Sequence, residues 1–157
     1  MNDLKTSEKG YMGRITNIQG SLFEAPAGAI LIHSCNCQGM WGSGIAKEFA
    51  VRFPVEYRLY TRHCKITPKV LGTALLIHGS KYSIGCLFTS FSYGAHVDSP
   101  SKILQATKTA IADLIRQNTK NQPFHACKFN SGLFKVPWED TLAILETTGR
   151  DFTIHCQ

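Results

Sequence analysis

Apolar and polar positions along the chain fall into blocks that read alternately as strands and helices. Arg14 to Ile18 predicts a short first strand, closed by the turn Gln19-Gly20-Ser21. Ala29-Ile30-Leu31-Ile32-His33 is a continuous apolar run, the pattern of a central strand buried on both faces. A glycine-rich loop follows, then a helix over about Gly44 to Arg52 closed by Pro54, and a second helical stretch over Val55 to Cys64. Gly72 to His78 and Tyr82 to Ser90 predict two strands joined at the turn Gly79-Ser80. Ser99-Pro100 supplies an N-cap and a first-turn proline. The helix they open buries Ile103, Leu104, Thr107, Ile111, Leu114 and Ile115 at helical spacing. Phe124 to Phe129 predicts another strand. Pro137 begins a last helix, with Glu139 and Asp140 where negative charge suits the dipole and Trp138, Leu142 and Leu145 on one face. Asp151 to Cys156 closes the chain as a strand. Strands alternating with helices make an α/β domain with a mixed or parallel sheet covered on both faces. In such folds ligands bind in loops beyond the carboxyl ends of the strands.

Composition narrows the classes. The chain is 157 residues long, one domain's worth, and its 43% hydrophobic and 18% charged residues exclude a disordered chain. Its longest apolar runs are strand-sized, too short to span a membrane. Met1 to Gly10 is polar and carries no apolar stretch, so it reads as a frayed tail before a single domain over residues 11–157, without a signal peptide. Residence in the cytoplasm or nucleus is expected on that basis. The formal charge of +6 favours anionic partners. No dense Lys/Arg run and no basic stretch interleaved with aromatics is present, so the charge fits a small phosphate-bearing ligand at least as well as nucleic acid and does not by itself choose between them. Nucleic acid, favoured by charge alone, is the distant reading. The six cysteines are scattered through apolar stretches and read as reduced core residues. Cys35 and Cys37 are the closest pair, and no second Cys/His cluster along the chain completes a tetrahedral site. No metal and no cofactor is expected, and the protein is read as a monomer.

Two loops carry the chemistry. The first runs from His33 through Asn36, Gly39, Gly42, Ser43 and Gly44 to Ile45-Ala46. Its glycines allow close backbone approach to a ligand, and it feeds a helix N-terminus whose free N–H groups favour an anion. Gly39 and Gly44 have P-loop separation, but Ile45-Ala46 stands where that motif needs Lys-Ser/Thr, which excludes nucleotide hydrolysis by that route. The second loop is Asn130-Ser131-Gly132-Leu133-Phe134-Lys135-Val136-Pro137-Trp138. A hydroxyl, successive amides around a glycine, an aromatic and a lysine suit a diphosphate with a sugar stacked alongside. His33 closes the buried strand directly under the first loop, and an imidazole near its ordinary pKa can move protons at neutral pH. It is the first candidate for chemistry, while a histidine that only shapes the pocket is the alternative. His96 and Asp98 lie in a polar loop within possible reach of the same pocket.

Leu31 to Cys37 with Trp41-Gly42-Ser43-Gly44-Ile45-Ala46, and Asn130 to Phe134 with Val136-Pro137-Trp138, resemble the two ligand loops of macrodomains. The wording is closest to the fungal ADP-ribose 1″-phosphate phosphatases, as is Cys86-Leu87-Phe88-Thr89-Ser90. The resemblance implies a three-layer α/β/α fold with a mixed, largely parallel sheet, and an ADP-ribose derivative as ligand. It further implies hydrolysis of ADP-ribose 1″-phosphate, a by-product of tRNA splicing; no metal-binding carboxylate cluster is visible along the chain, so a metal-independent reaction is expected. By the same resemblance Asn36 contacts the distal ribose, and Gly42, Ser43, Gly44 and Ile45 wrap ribose and diphosphate. Ser131, Gly132 and Leu133 form the second diphosphate cradle, with Phe134 beside the distal ribose. Ser21 and Leu22 fall at the adenine end, where Ser21 replaces the aspartate of many macrodomains, and His155 stands where related sequences have tyrosine. Lys135 stands where a glycine is common, and is expected to add a positive contact to the extra phosphate. Two alternatives remain open: a hydrolase that removes ADP-ribose from proteins, and a non-catalytic ADP-ribose reader. One macrodomain group of the former kind uses a lysine after a sheet strand and an aspartate in the second loop. Thr89-Ser90-Phe91-Ser92 and Gly132-Leu133-Phe134-Lys135 offer neither.

Overall fold

The computed structural model describes residues 13–157, so the tail expected over residues 1–10 lies outside the described residues. Six strands form one sheet: β1 (Ile15–Gln19), β2 (Ile30–Asn36), β3 (Ala74–Ile77), β4 (Ser83–Ser90), β5 (Phe124–Ala126) and β6 (Phe152–Cys156). Their order is β1-β6-β5-β2-β4-β3, and every neighbouring pair is parallel except β3 with β4. The α-helices are α1 (Gly44–Arg52), α2 (Pro54–Ile66), α3 (Pro100–Gln117) and α4 (Trp138–Glu146), with short 3-10 turns at Leu22–Glu24 and Gly94–His96.

The period of two along β2 sorts its side chains into two cores. Leu31 and Cys35 pack with Phe49 of α1 and Tyr60 of α2. Ile30 and Ile32 pack with Ala110, Ile111 and Leu114 of α3 and with Ile144 and Leu145 of α4. The result is the three-layer α/β/α arrangement with a mixed, largely parallel sheet. α3 is the longest helix, and Ser99 Oγ accepts from the Lys102 N–H at 3.4 Å ahead of Pro100 in its first turn. It presses close to the sheet because Gly85 has no side chain: a Cβ there would lie 3.0 Å from both Ile30 Cγ2 and Leu114 Cδ2.

Two boundaries differ from the sequence pattern. Pro54 does more than end α1, since it occupies the first turn of α2, which follows after Phe53 alone. The strand expected over Phe124 to Phe129 stops at Ala126, because the chain turns out of the sheet there and the Phe129 N–H donates to the Cys127 carbonyl at 2.8 Å. That early exit delivers the second loop to the carboxyl end of β2. No helix among the described residues is long and apolar enough to cross a membrane.

Candidate functional site

The first loop is folded by Asn36. A register irregularity between Cys35 and Asn36 at the end of β2 re-aims the asparagine. Its Oδ1 accepts from the Gln38 N–H at 2.9 Å, and its Nδ2 donates to the Met40 carbonyl at 2.8 Å. Tyr60 Oη donates to the Asn36 carbonyl at 2.7 Å, and Thr61 Oγ1 to that of Gly39 at 3.0 Å, so α2 clamps the loop from below. Trp41 is 2% exposed and stacks against Tyr57 and Tyr60, with ring centroids 5.0 and 4.8 Å away. The glycines that follow are thereby held over the N-terminus of α1.

The second loop turns on two residues with left-handed backbone, Asn130 (φ 67°) and Lys135 (φ 64°). The Lys135 N–H donates to the Gly132 carbonyl at 3.1 Å and the Val136 N–H to that of Asn130 at 2.8 Å, closing the loop on itself. The Asn130 N–H donates to Ser34 Oγ on β2 at 3.2 Å, which ties the loop to the central strand. The loops then meet. Gly44 has φ +58°, and a Cβ on it would stand 3.3 Å from Leu133 Cδ1, so glycine serves there both for conformation and for space.

Between the loops lies a cavity of about 480 Å³. It is lined by Ser34, Cys35, Asn36, Met40, Trp41, residues 42–46, Tyr93, Gly94, Asn130 and residues 132–135. Asn36, Gly42, Ser43, Gly44, Ile45, Gly132, Leu133, Phe134 and Lys135 are therefore gathered as the sequence predicts. No carboxylate belongs to this lining. Lys135 is its one formal charge and has no ionic or hydrogen-bond partner for its ammonium among the described residues. The lone ammonium, the absence of any carboxylate from the lining and the N-terminus of α1 at its edge suit the cavity to an anion.

Four expected site residues lie elsewhere. Ser21 Oγ accepts from the Phe23 N–H at 3.1 Å and caps the 3-10 turn; Leu22 is 2% exposed, inside the core. Ser131 turns its hydroxyl to the Lys128 carbonyl. The expectation that His33 offers its imidazole to the cavity is corrected. The ring is 1% exposed, stacked on Phe49 at 3.9 Å and edge-on to Trp41, with Cys35 two residues further along the same face of β2. Strand alternation sets His33 one layer below the floor that Cys35 lines. Asp98 is structural: its Oδ2 accepts from the Phe91 N–H at 2.9 Å and its N–H donates to Ser90 Oγ. His96 belongs to the short turn whose start, Tyr93-Gly94, reaches the cavity in its place. Tyr93 carried no signal in the sequence, whereas Ser34, Cys35, Met40 and Trp41 were within the loop already singled out.

All six cysteines are free thiols. Burial pushes the Cys35 thiol well above its ordinary range and the Cys37 thiol up to about 12, so neither is a ready nucleophile. Spacing along the chain concealed one cluster: His33, Cys35 and Cys86 bring their ligand-type atoms within 4.8 Å of one another, all buried.

The macro domain family model matches residues 32–145, spanning both loops and the cavity. The chain belongs to the macrodomain family. The macrodomain is 37% identical over 192 aligned positions to the ADP-ribose 1″-phosphate phosphatase of Aspergillus oryzae, covering 94% of this chain and 96% of that protein. It is 42% identical over 153 positions to the protein of that name from Chaetomium globosum, covering 85% and 83%. Among solved structures the macrodomain of Mycobacterium tuberculosis DarG superposes with a TM-score of 0.74 at 24% identity, covering 92% of this chain and 99% of that one. Thermosipho africanus DarTG in complex with ADP-ribose gives 0.73 at 14% identity, covering 91% and 42%. These structural likenesses fix the fold.

Proposed function

We propose that this macrodomain hydrolyses ADP-ribose 1″-phosphate to ADP-ribose and inorganic phosphate. Relatives bearing that name match nearly the whole chain. The observation that carries the reading is the cavity itself: two loops close on each other around an anion-binding space whose one charge is an unpaired lysine. In the reaction a water oxygen bonds to phosphorus, the P–O1″ bond breaks, and the sugar oxygen leaves with a proton. Loop amides hold the diphosphate, Phe134 flanks the distal ribose, and Asn36 keeps one Nδ2 proton for it beyond the one given to Met40. Lys135 holds the terminal phosphate and stabilises the charge that builds on it. His33 supports the floor through Cys35 and Trp41 instead of meeting the substrate. No added divalent cation is needed in this reading. The protein acts as a monomer in the cytoplasm or nucleus on the by-product of tRNA splicing.

The second reading is an ADP-ribose reader, favoured by the finding that neither an imidazole nor a carboxylate lines the cavity. Phosphate release from ADP-ribose 1″-phosphate in the presence of a chelator separates the two, with calorimetric ADP-ribose binding alongside. Wild-type turnover is expected. Lys135→Ala should lose about 10- to 150-fold in kcat/KM, the worth of a charge-assisted phosphate contact at roughly 1.5–3 kcal/mol, and keep most ADP-ribose affinity. Binding without turnover in the wild type would establish the reader and end the phosphatase reading.

A further inference from the structure

Beneath the cavity floor, two neighbouring strands present a set of soft ligands that the proposed hydrolysis does not use. His33 and Cys35 lie two residues apart on one face of β2, and Cys86 of β4 stands directly opposite His33 in the parallel register. Cys35 Sγ is 3.5 Å from His33 Nε2, and the ligand-type atoms of all three residues lie within 4.8 Å of one another. Zinc bonded to imidazole nitrogen and thiolate sulfur at its usual lengths sets such atoms about 3.5–3.8 Å apart in a tetrahedron. His33 Nδ1 lies 3.9 Å from the Cys35 sulfur, so the imidazole must turn until Nε2 points at the ion, and all three side chains come from strands buried along nearly their whole length.

We propose that His33, Cys35 and Cys86 bind one zinc ion under the floor of the cavity. Charge selects the metal. The residues are 1%, 2% and 0% exposed, so the occupied site must be close to neutral to be tolerated. Zn(II) with two thiolates and one neutral imidazole has zero net charge; a monovalent soft ion in the same place would leave a buried negative charge. On binding, two S–H bonds are exchanged for two Zn–S bonds, and both protons pass to solvent. The fourth position is left for water. Trp41, edge-on to His33 at 4.8 Å, carries the only buried side-chain polar atom without a partner among the described residues, its indole N–H. An oxygen on the ion would give that donor an acceptor, which a well-packed core otherwise calls for. The ion would pin β2 to β4 just where Cys35 meets the cavity. It would travel with the protein, so a reaction that needs no added cation is compatible with it, and the proposal stands apart from whether the cavity hydrolyses phosphate.

The test uses the full chain, reduced with a phosphine, stripped with a strong chelator and titrated with Co(II) as the spectroscopic probe, then with Zn(II). One Co(II) per chain is expected, with thiolate-to-cobalt charge transfer and the intense visible bands of a tetrahedral site, both discharged by Zn(II). Cys86→Ala and His33→Gln should each weaken uptake at least tenfold, whereas Cys37→Ala and Cys64→Ala should leave it unchanged. Circular dichroism identifies which variants are folded, and His33→Gln keeps the test decisive if Cys86→Ala fails to fold. A folded, reduced wild type that takes up no Co(II), or uptake that persists in folded Cys86→Ala or His33→Gln, overturns the proposal.

Discussion

Asn130 adopts a left-handed backbone at φ 67°, a conformation that asparagine tolerates better than most residues, and it is 2% exposed. Its carboxamide joins three elements. Oδ1 accepts from Thr89 Oγ1 of β4 at 2.9 Å, and Nδ2 donates to Thr107 Oγ1 of α3 at 3.0 Å and to Thr141 Oγ1 of α4 at 3.2 Å. Thr107 gives its own proton to the Ile103 carbonyl, so it can only accept from Asn130. Aspartate fits the same backbone and volume but replaces the Nδ2 donor with an oxygen facing two hydroxyls. Asn130→Asp should therefore cost about 1–3 kcal/mol of stability, the usual penalty for stranding buried polar groups, without any conformational penalty at φ. Denaturant unfolding at neutral pH measures it, and a variant within experimental error of wild type would remove the hub from the account. ADP-ribose affinity should fall with it, since the residue carries the second loop.

At the level of elements, β3 is an outer strand, and α3 reaches over its open edge. The Ala74 N–H donates to Asp113 Oδ2 at 2.8 Å; the Leu76 N–H donates to Gln117 Oε1 at 3.1 Å; Gln117 Nε2 donates to the Ala74 carbonyl at 2.9 Å. Arg116 pairs with Asp113 from the solvent side. These side chains occupy the groups through which another strand would pair, a protection that edge strands require. Gln117→Ala combined with Asp113→Ala should produce concentration-dependent association at unchanged helical signal, seen by sedimentation or light scattering; a strictly monomeric double variant would count against it. This guard was not legible in the sequence, because Asp113 and Gln117 meet β3 only through tertiary packing. The strands and helices were, since Ile30 to Ile32 and the stripe from Ile103 to Leu114 announce their burial by period alone. Of the site, the two loops were legible from glycine spacing and the family resemblance, and most of their residues do line the cavity. The position of His33 was not. Its depth follows from the stack on Phe49, and no local pattern specifies which side chain a histidine packs on. Nor does local pattern bring Cys86 beside Cys35, a contact made across strands 51 residues apart in sequence.

Over the whole molecule, the histidines tie stability to pH in a calculable direction. His125 of β5 and His155 of β6 are 7% and 5% exposed, and their Nδ1 and Nε2 atoms stand 2.8 Å apart, a distance that accommodates one shared proton. Burial lowers the pKa of His125, and the proximity of His155 lowers it further. His155 is also lowered by burial, against the opposing pull of the Ser21 backbone and Glu24. Burial likewise lowers His63. In the unfolded chain each reverts to about 6.5, so below that pH the unfolded state binds protons that the folded state refuses. Stability should then be fully present above about pH 7 and decline as pH falls through the unfolded value toward the folded ones. Carboxylates begin to titrate only near pH 4–5, which leaves the interval from about 6.5 to 5 to histidine alone. Denaturant midpoints across that interval should fall with acidity. His155→Gln should flatten the slope, since glutamine can keep a hydrogen bond to His125 without the second charge. A midpoint independent of pH between 7 and 5, or a slope unchanged in His155→Gln, would mean that the pair is not the group that resists protonation in the folded protein.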